Sequence, residues 1–84
     1  MAYTLSFTKQ AVKELEAISE PYYSGIKAAI YALAADPRPH GYKKLKGRPA
    51  YRIRVGNYRI IYEILDAALV VEVIDLGHRK DIYQ

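Results

Sequence analysis

The sequence contains no cysteine, which excludes thiolate nucleophiles, disulfides and the usual structural zinc sites and makes a reducing cytoplasm its natural setting. No run approaches the roughly 18–20 consecutive apolar residues that a membrane span needs. Residues 1–7 also lack the charged start and long apolar stretch of an export signal. A soluble, cytoplasmic protein without a membrane partner is expected. The third absence is of acid: no Asp or Glu lies between Arg38 and Arg59. That stretch holds eight cations, Arg38, Lys43, Lys44, Lys46, Arg48, Arg52, Arg54 and Arg59, against five cations and nine anions elsewhere. The partition is thus +8 against −4, for a net charge of +4. Such a concentration suits a surface that meets a polyanion, nucleic acid first among them; a solvated basic loop is the alternative.

What is present is enough for one core. A chain of 84 residues is a single domain, residues 1–84, and buries roughly 60–65% of the surface it exposes when unfolded. Half of it is apolar, including nine Tyr, so a compact globule needs no metal or cofactor to staple it.

Residues 3–7 alternate as a short strand, and Thr8 is placed to cap a helix running to about residue 19, with Val12, Leu15 and Ile18 on one face. Pro21 suits the start of a second helix, in which Tyr23, Ile26, Ala29, Ile30 and Leu33 follow helical spacing until Asp36-Pro37-Arg38-Pro39 ends it. Residues 37–49, with two Gly, three Pro and three of the seven Lys, read as a loop. His40, between Pro39 and Gly41, is read as a structural loop residue.

From residue 50 the period changes to two. Tyr51, Ile53 and Val55 alternate with Arg52 and Arg54; Gly56-Asn57 is a hairpin turn signal; Tyr58, Ile60, Tyr62 and Ile64 alternate with Arg59, Ile61 and Glu63. Residues 69–76 form an apolar run broken by Glu72 and Asp75, as a central strand covered on both faces would read. The expected fold is α+β, in the order β-α-α-β-β-β, with an N-terminal helical hairpin on a small, mainly antiparallel sheet.

A two-residue turn at Gly56-Asn57 pairs Arg54 with Arg59, Ile53 with Ile60 and Arg52 with Ile61. Every apolar partner then meets another, and Arg52, Arg54 and Arg59 share the exposed face away from the helices. Like charges directly opposed weaken a pairing by about 0.2–1 kcal/mol, a local fault that a phosphate would repair. Splayed, solvated arginines neutralised by Glu63 and Glu72 are the bland alternative. Gly77-His78-Arg79-Lys80-Asp81-Ile82-Tyr83 then leaves the last strand, placing an imidazole, a guanidinium, an ammonium and a phenol within seven residues. Folded over the arginine face, this set suits RNA cleavage without a metal: a base removes the 2′-OH proton, an acid protonates the leaving 5′-oxygen, and cations stabilise the dianionic transition state. An anchored hydrophobic end with a solvated His is the alternative.

YRIRVGNYRIIYEI at residues 51–64, LVVEVIDLGHRKDIY at 69–83 and KLKGRPAY at 44–51 together resemble the RelE/ParE toxin superfamily, on its RelE side, over nearly the whole chain. The resemblance implies a toxin of a type II toxin–antitoxin system, an endoribonuclease that cuts mRNA in the ribosomal A site and is neutralised by an acidic antitoxin. Arg52 and Arg54 fall where the type member of the RelE branch carries two catalytic lysines, Arg59 on its transition-state arginine, Tyr83 on its base-stacking tyrosine, and Arg79 or Lys80 on its tail arginine. A guanidinium is a poor proton acceptor, so the base role passes to His78. Lys43, Lys44, Lys46, Arg48 and Lys80 are the expected RNA-binding residues, with no metal and no cofactor. Two other readings stay open: a ParE-like gyrase inhibitor without nuclease activity, and a nucleic-acid-binding module that catalyses nothing. Inducible DNA breaks would mark the first, and salt-sensitive binding without cleavage the second.

Overall fold

The computed structural model describes residues 2–78. Its elements are β1 (Thr4–Phe7), α1 (Lys9–Glu16), α2 (Tyr22–Ala35), β2 (Lys43–Lys44), β3 (Tyr51–Val55), β4 (Tyr58–Leu65) and β5 (Val70–His78), with one 3-10 turn at Asp66–Ala68. The five strands form one sheet in the order β1-β5-β4-β3-β2. β1 and β5 are parallel and the other pairs antiparallel. The α+β class and the helical hairpin stand as expected, with one strand more: Lys43 and Lys44, within the expected loop, pair with Arg52 and Tyr51. Two lysines on an edge carry no apolar alternation, so periodicity does not reveal this strand, although lysine is the residue that edges favour.

Thr8 caps α1 as its sequence position suggests, its Oγ1 accepting from the Ala11 N–H at 3.1 Å while donating to the Ile74 carbonyl at 2.7 Å. The cap therefore also ties α1 to β5. α1 stops at Glu16, short of residue 19, and its buried residue is Ala11 and not Val12, which remains 40% exposed. Leu15 and Ile18, of the face expected to be buried, pack partly buried against the core.

Ala11, Ile26, Ile30 and Leu33 from the helices meet Ile53, Ile60, Tyr62, Val71, Val73 and Leu76 from one face of the sheet. Each fully buried aliphatic side chain contributes about 1.5–3 kcal/mol over its exposed state.

β5 alternates buried and half-buried positions along its length, so it is covered on one face more than the other, unlike the doubly buried strand expected. A bulge interrupts its pairing with β4: Tyr62 opposes Val73 but Ile61 opposes Asp75, leaving Ile74 as the extra residue. Val71 and Val73 face the helices before the bulge, and Leu76 faces them after it. Glu72, opposite Glu63, and Asp75, opposite Ile61, then fall on the other face although three positions apart.

The segment after α2 is tied down at several points. The Tyr62 hydroxyl donates to the Pro37 carbonyl at 2.7 Å in the interior, Arg38 forms an ion pair with Asp66 at 2.9 Å, and the Tyr3 hydroxyl donates to Asp66 at 2.6 Å. The Arg38–Asp66 pair is exposed, of a kind that contributes at most about 1 kcal/mol. The buried Tyr62 bond matters more, because removing its donor leaves a carbonyl dry and unpaired. Tyr62→Phe is therefore expected to lower unfolding stability by about 1–2 kcal/mol, read as a lower urea midpoint at unchanged m-value.

Candidate nucleic-acid interface

The register of the β3–β4 hairpin follows the Gly56-Asn57 turn, with Gly56 at φ 60°: Val55 opposes Tyr58, Arg54 opposes Arg59, Ile53 opposes Ile60, Arg52 opposes Ile61 and Tyr51 opposes Tyr62. Tyr51, Ile53, Val55, Tyr58, Ile60 and Tyr62 face the helices, leaving Arg52, Arg54 and Arg59 on the opposite face. Lys43 lies beside Arg52 on that face. One row across the sheet thus reads Lys43, Arg52, Ile61, Asp75, and the next reads Arg54, Arg59, Gly77.

The three arginines do not share one exposure. Arg54 is open to solvent, whereas Arg52 is only 5% and Arg59 only 4% exposed, in contrast to the fully exposed trio expected. Each of the two buried arginines sits on an inner strand position flanked by neighbours on both sides, so its long stem is covered. Arg54 and Arg59 each also interact with another group of the chain. Arg52 Nε is buried and has no hydrogen-bond partner among the described residues, a condition that ordinarily costs about 1–3 kcal/mol, more for a charged group.

His40, Gly41, Lys43, Arg52, Ile53 and Arg54 line a cleft of about 330 Å³ beside that guanidinium. Lys43, Arg52 and Arg54 bring positive charge to its lining, and among the described residues Arg52 Nε is buried without an acceptor. Lys44, Lys46 and Arg48 are also exposed, but Lys44 opposes Tyr51 and so lies on the other face of β2; its Nζ donates to the Arg48 carbonyl at 3.1 Å. The loop cations form a rim and not a floor.

The two histidines exchange the places expected of them. His78 opposes Tyr58 and packs edge-on against its ring, centroids 5.7 Å apart, with Tyr22 of α2 on Tyr58 at 5.8 Å. It therefore sits on the helix side, and the structure does not bring it to the arginines. His40 is on the cleft. The signal for it in the sequence is turn chemistry: Gly41 takes φ 91° and the Tyr42 N–H donates to the Pro39 carbonyl at 3.0 Å, the pattern of a type II turn with His40 at its second position. Arg79, Lys80 and Tyr83 lie outside the described residues.

At the far end of the Arg52 row, Asp75 meets Glu14 of α1. Glu14 accepts from the Leu76 N–H at 2.9 Å and from Gln10 Nε2 at 2.8 Å, closing the edge of β5 beyond the end of β1. Burial and the neighbouring Glu14 carboxylate push the Asp75 carboxyl up to about 6. Burial works to raise Glu14 too, but the bonds it receives from Asp75, the Leu76 N–H and Gln10 outweigh that and hold it below its ordinary value. Of the two carboxyls, Asp75 is therefore the one that takes up a proton first as pH falls. Among the described residues no cluster of three or more His, Asp or Glu is arranged to hold a metal ion, and no helix is long and apolar enough to cross a membrane.

Residues 5–83 match the family model described as the ParE toxin of type II toxin–antitoxin system, parDE. The mRNA interferase toxin RelE of Escherichia coli K12 is 32% identical over 83 residues, 95% of this chain and 86% of that protein. A chain of the intact E. coli RelBE toxin–antitoxin complex superposes with a TM-score of 0.81 at 31% identity, covering 92% of this chain and 96% of that one. The archaeal RelE–RelB complex from Pyrococcus horikoshii OT3 gives 0.83 at 29% identity, covering 96% and 99%.

The carboxyl pair generates a prediction with a definite sign. A carboxyl whose folded-state pKa is raised supplies stability that is present in acid and is lost as pH climbs from its ordinary 3.8 to about 6. Asp75→Asn keeps a donor for Glu14 without the charge. Its melting temperature should rise relative to the parent protein by a few degrees across that interval and run parallel above it, as thermal melts in buffers spanning the interval would show.

Proposed function

Since the chain belongs to the family of ParE toxins of type II toxin–antitoxin systems, matched over residues 5–83, we propose that it acts as a RelE-like endoribonuclease, cutting mRNA in the ribosomal A site. The observation that carries this reading is the cationic face: Lys43, Arg52, Arg54 and Arg59 gathered across adjacent strands, with a cleft at one end whose buried Arg52 Nε lacks an acceptor. A scissile phosphodiester supplies the missing anion. As the 2′-oxygen attacks, the phosphorus becomes pentacoordinate and gains negative charge, which preorganised guanidiniums stabilise more strongly than they stabilise the ground state. Guanidiniums remain protonated in proteins, so they do this without exchanging protons. In this reading Arg79 or Lys80 adds charge from the tail, Tyr83 stacks on a base, and Lys44, Lys46 and Arg48 hold the flanking backbone.

The antitoxin follows from the same charge. The cytoplasmic partner that silences the toxin is an acidic protein covering the Arg38 to Arg59 region, and the RelB-bound relatives support a partner of that kind. The match to a family named for ParE keeps gyrase inhibition as the second reading. It leaves the convergence of Arg52 and Arg54 on one cleft without a purpose, because a toxin that works by binding alone needs no site for a dianionic phosphorus.

Mapping 5′ ends of transcripts after inducing the chain without a partner should show cuts at fixed positions within codons of translated messages. DNA breaks with intact messages would instead establish the gyrase reading. Arg54→Ala, at an exposed position, should lower cleavage on programmed ribosomes by about 100–1,000-fold with an unchanged melting temperature.

A further inference from the structure

We propose that His40 is a catalytic residue of this chain, the base that takes the 2′-hydroxyl proton; the inference rests on the ribonuclease reading above and adds to it the group that the guanidiniums cannot replace. The reaction needs a proton acceptor. Arg52, Arg54 and Lys43 are cations, and His78 is turned to the opposite face by its pairing with Tyr58. His40 is the remaining histidine of the chain, and it lines the same cleft as Lys43, Arg52 and Arg54.

Its backbone is held from both sides, which a merely solvated loop residue does not require. Upstream, Pro37 is fixed by the Tyr62 hydroxyl and Arg38 by Asp66. Downstream, the turn is closed by the Tyr42 N–H on the Pro39 carbonyl, and the Tyr42 ring packs at a tilt against Tyr51 with centroids 5.8 Å apart. Gly41 at φ 91° is a conformation other residues adopt only under strain, so the turn that presents the imidazole is built into the sequence. The imidazole itself is exposed, as a group that must meet RNA has to be. Neutral imidazole accepts a proton through whichever ring nitrogen lacks one.

The step balances as follows. The imidazole takes the 2′-hydroxyl proton as the O2′–P bond forms; the P–O5′ bond breaks with its electron pair left on the 5′-oxygen, which takes a proton from water. The products are a 2′,3′-cyclic phosphate and a 5′-hydroxyl, and the imidazolium returns its proton to solvent.

The test is single-turnover cleavage of mRNA on programmed ribosomes by the full chain and by His40→Ala. The variant should cut at least about 100-fold more slowly, bind those ribosomes with unchanged affinity, and regain rate when free imidazole is added to fill the space left by the side chain. An undiminished rate in His40→Ala overturns the proposal, as does a loss that imidazole leaves unrepaired, because a residue that only shapes the loop is not replaced by a soluble base. Failure of the parent chain to cut at all would instead count against the ribonuclease reading itself.

Discussion

The single extra residue in β5 governs which side chains can act together. Because side chains alternate across a strand, one inserted position reverses the facing of everything beyond it. Without the bulge at Ile74, pairing continued from Tyr62 and Val73 would bring Leu76 opposite Arg59 and turn Asp75 into the core. With it, Leu76 completes the hydrophobic cluster, Gly77 lies opposite Arg59 with no side chain to compete for the guanidinium's space, and His78 is carried to the helix side. The cost is one unpaired position in the ladder, and the Ile74 carbonyl is satisfied by the Thr8 hydroxyl that also caps α1.

From that arrangement the sheet acquires two faces with different tasks. One packs against the helices and supplies the stability that a domain of this size can gather. The other carries cations near the hairpin and carboxylates toward β5, with Asp75 beside Glu14 where α1 closes the strand edge. A face that concentrates like charges is unfavourable on its own. The protein tolerates it because rigid strands hold the stems and the buried core on the reverse side compensates. A site meant to receive a dianionic phosphorus should have that property, with charges positioned before the substrate arrives.

The hairpin register, the helical hairpin and the partition of the arginines to one face were legible in the sequence, because a Gly-Asn turn and strict alternation leave one pairing that matches apolar with apolar. The family was legible from the same strings. Three features were not. β2 is two lysines long, too short for any period. The bulge shows only as the odd spacing between Glu72 and Asp75, which one strand face cannot hold without an inserted residue, and the facing of His78 depends on it. His40, between Pro39 and Gly41, reads as a structural loop residue, whereas its place on the cleft depends on contacts of its neighbours with Tyr62, Asp66 and Tyr51, each distant in sequence.

The central claim is that RNA lies across the cationic face, and NMR titration with a short RNA bearing 2′-O-methyl groups, which bind but cannot react, addresses it most directly. Side-chain signals of Arg52, Arg54 and Arg59 and the ring signals of His40 should shift together with one dissociation constant that weakens as salt is raised, while those of the helical hairpin stay in place. Shifts centred on α1 and α2, or none on the arginine face, would contradict the account.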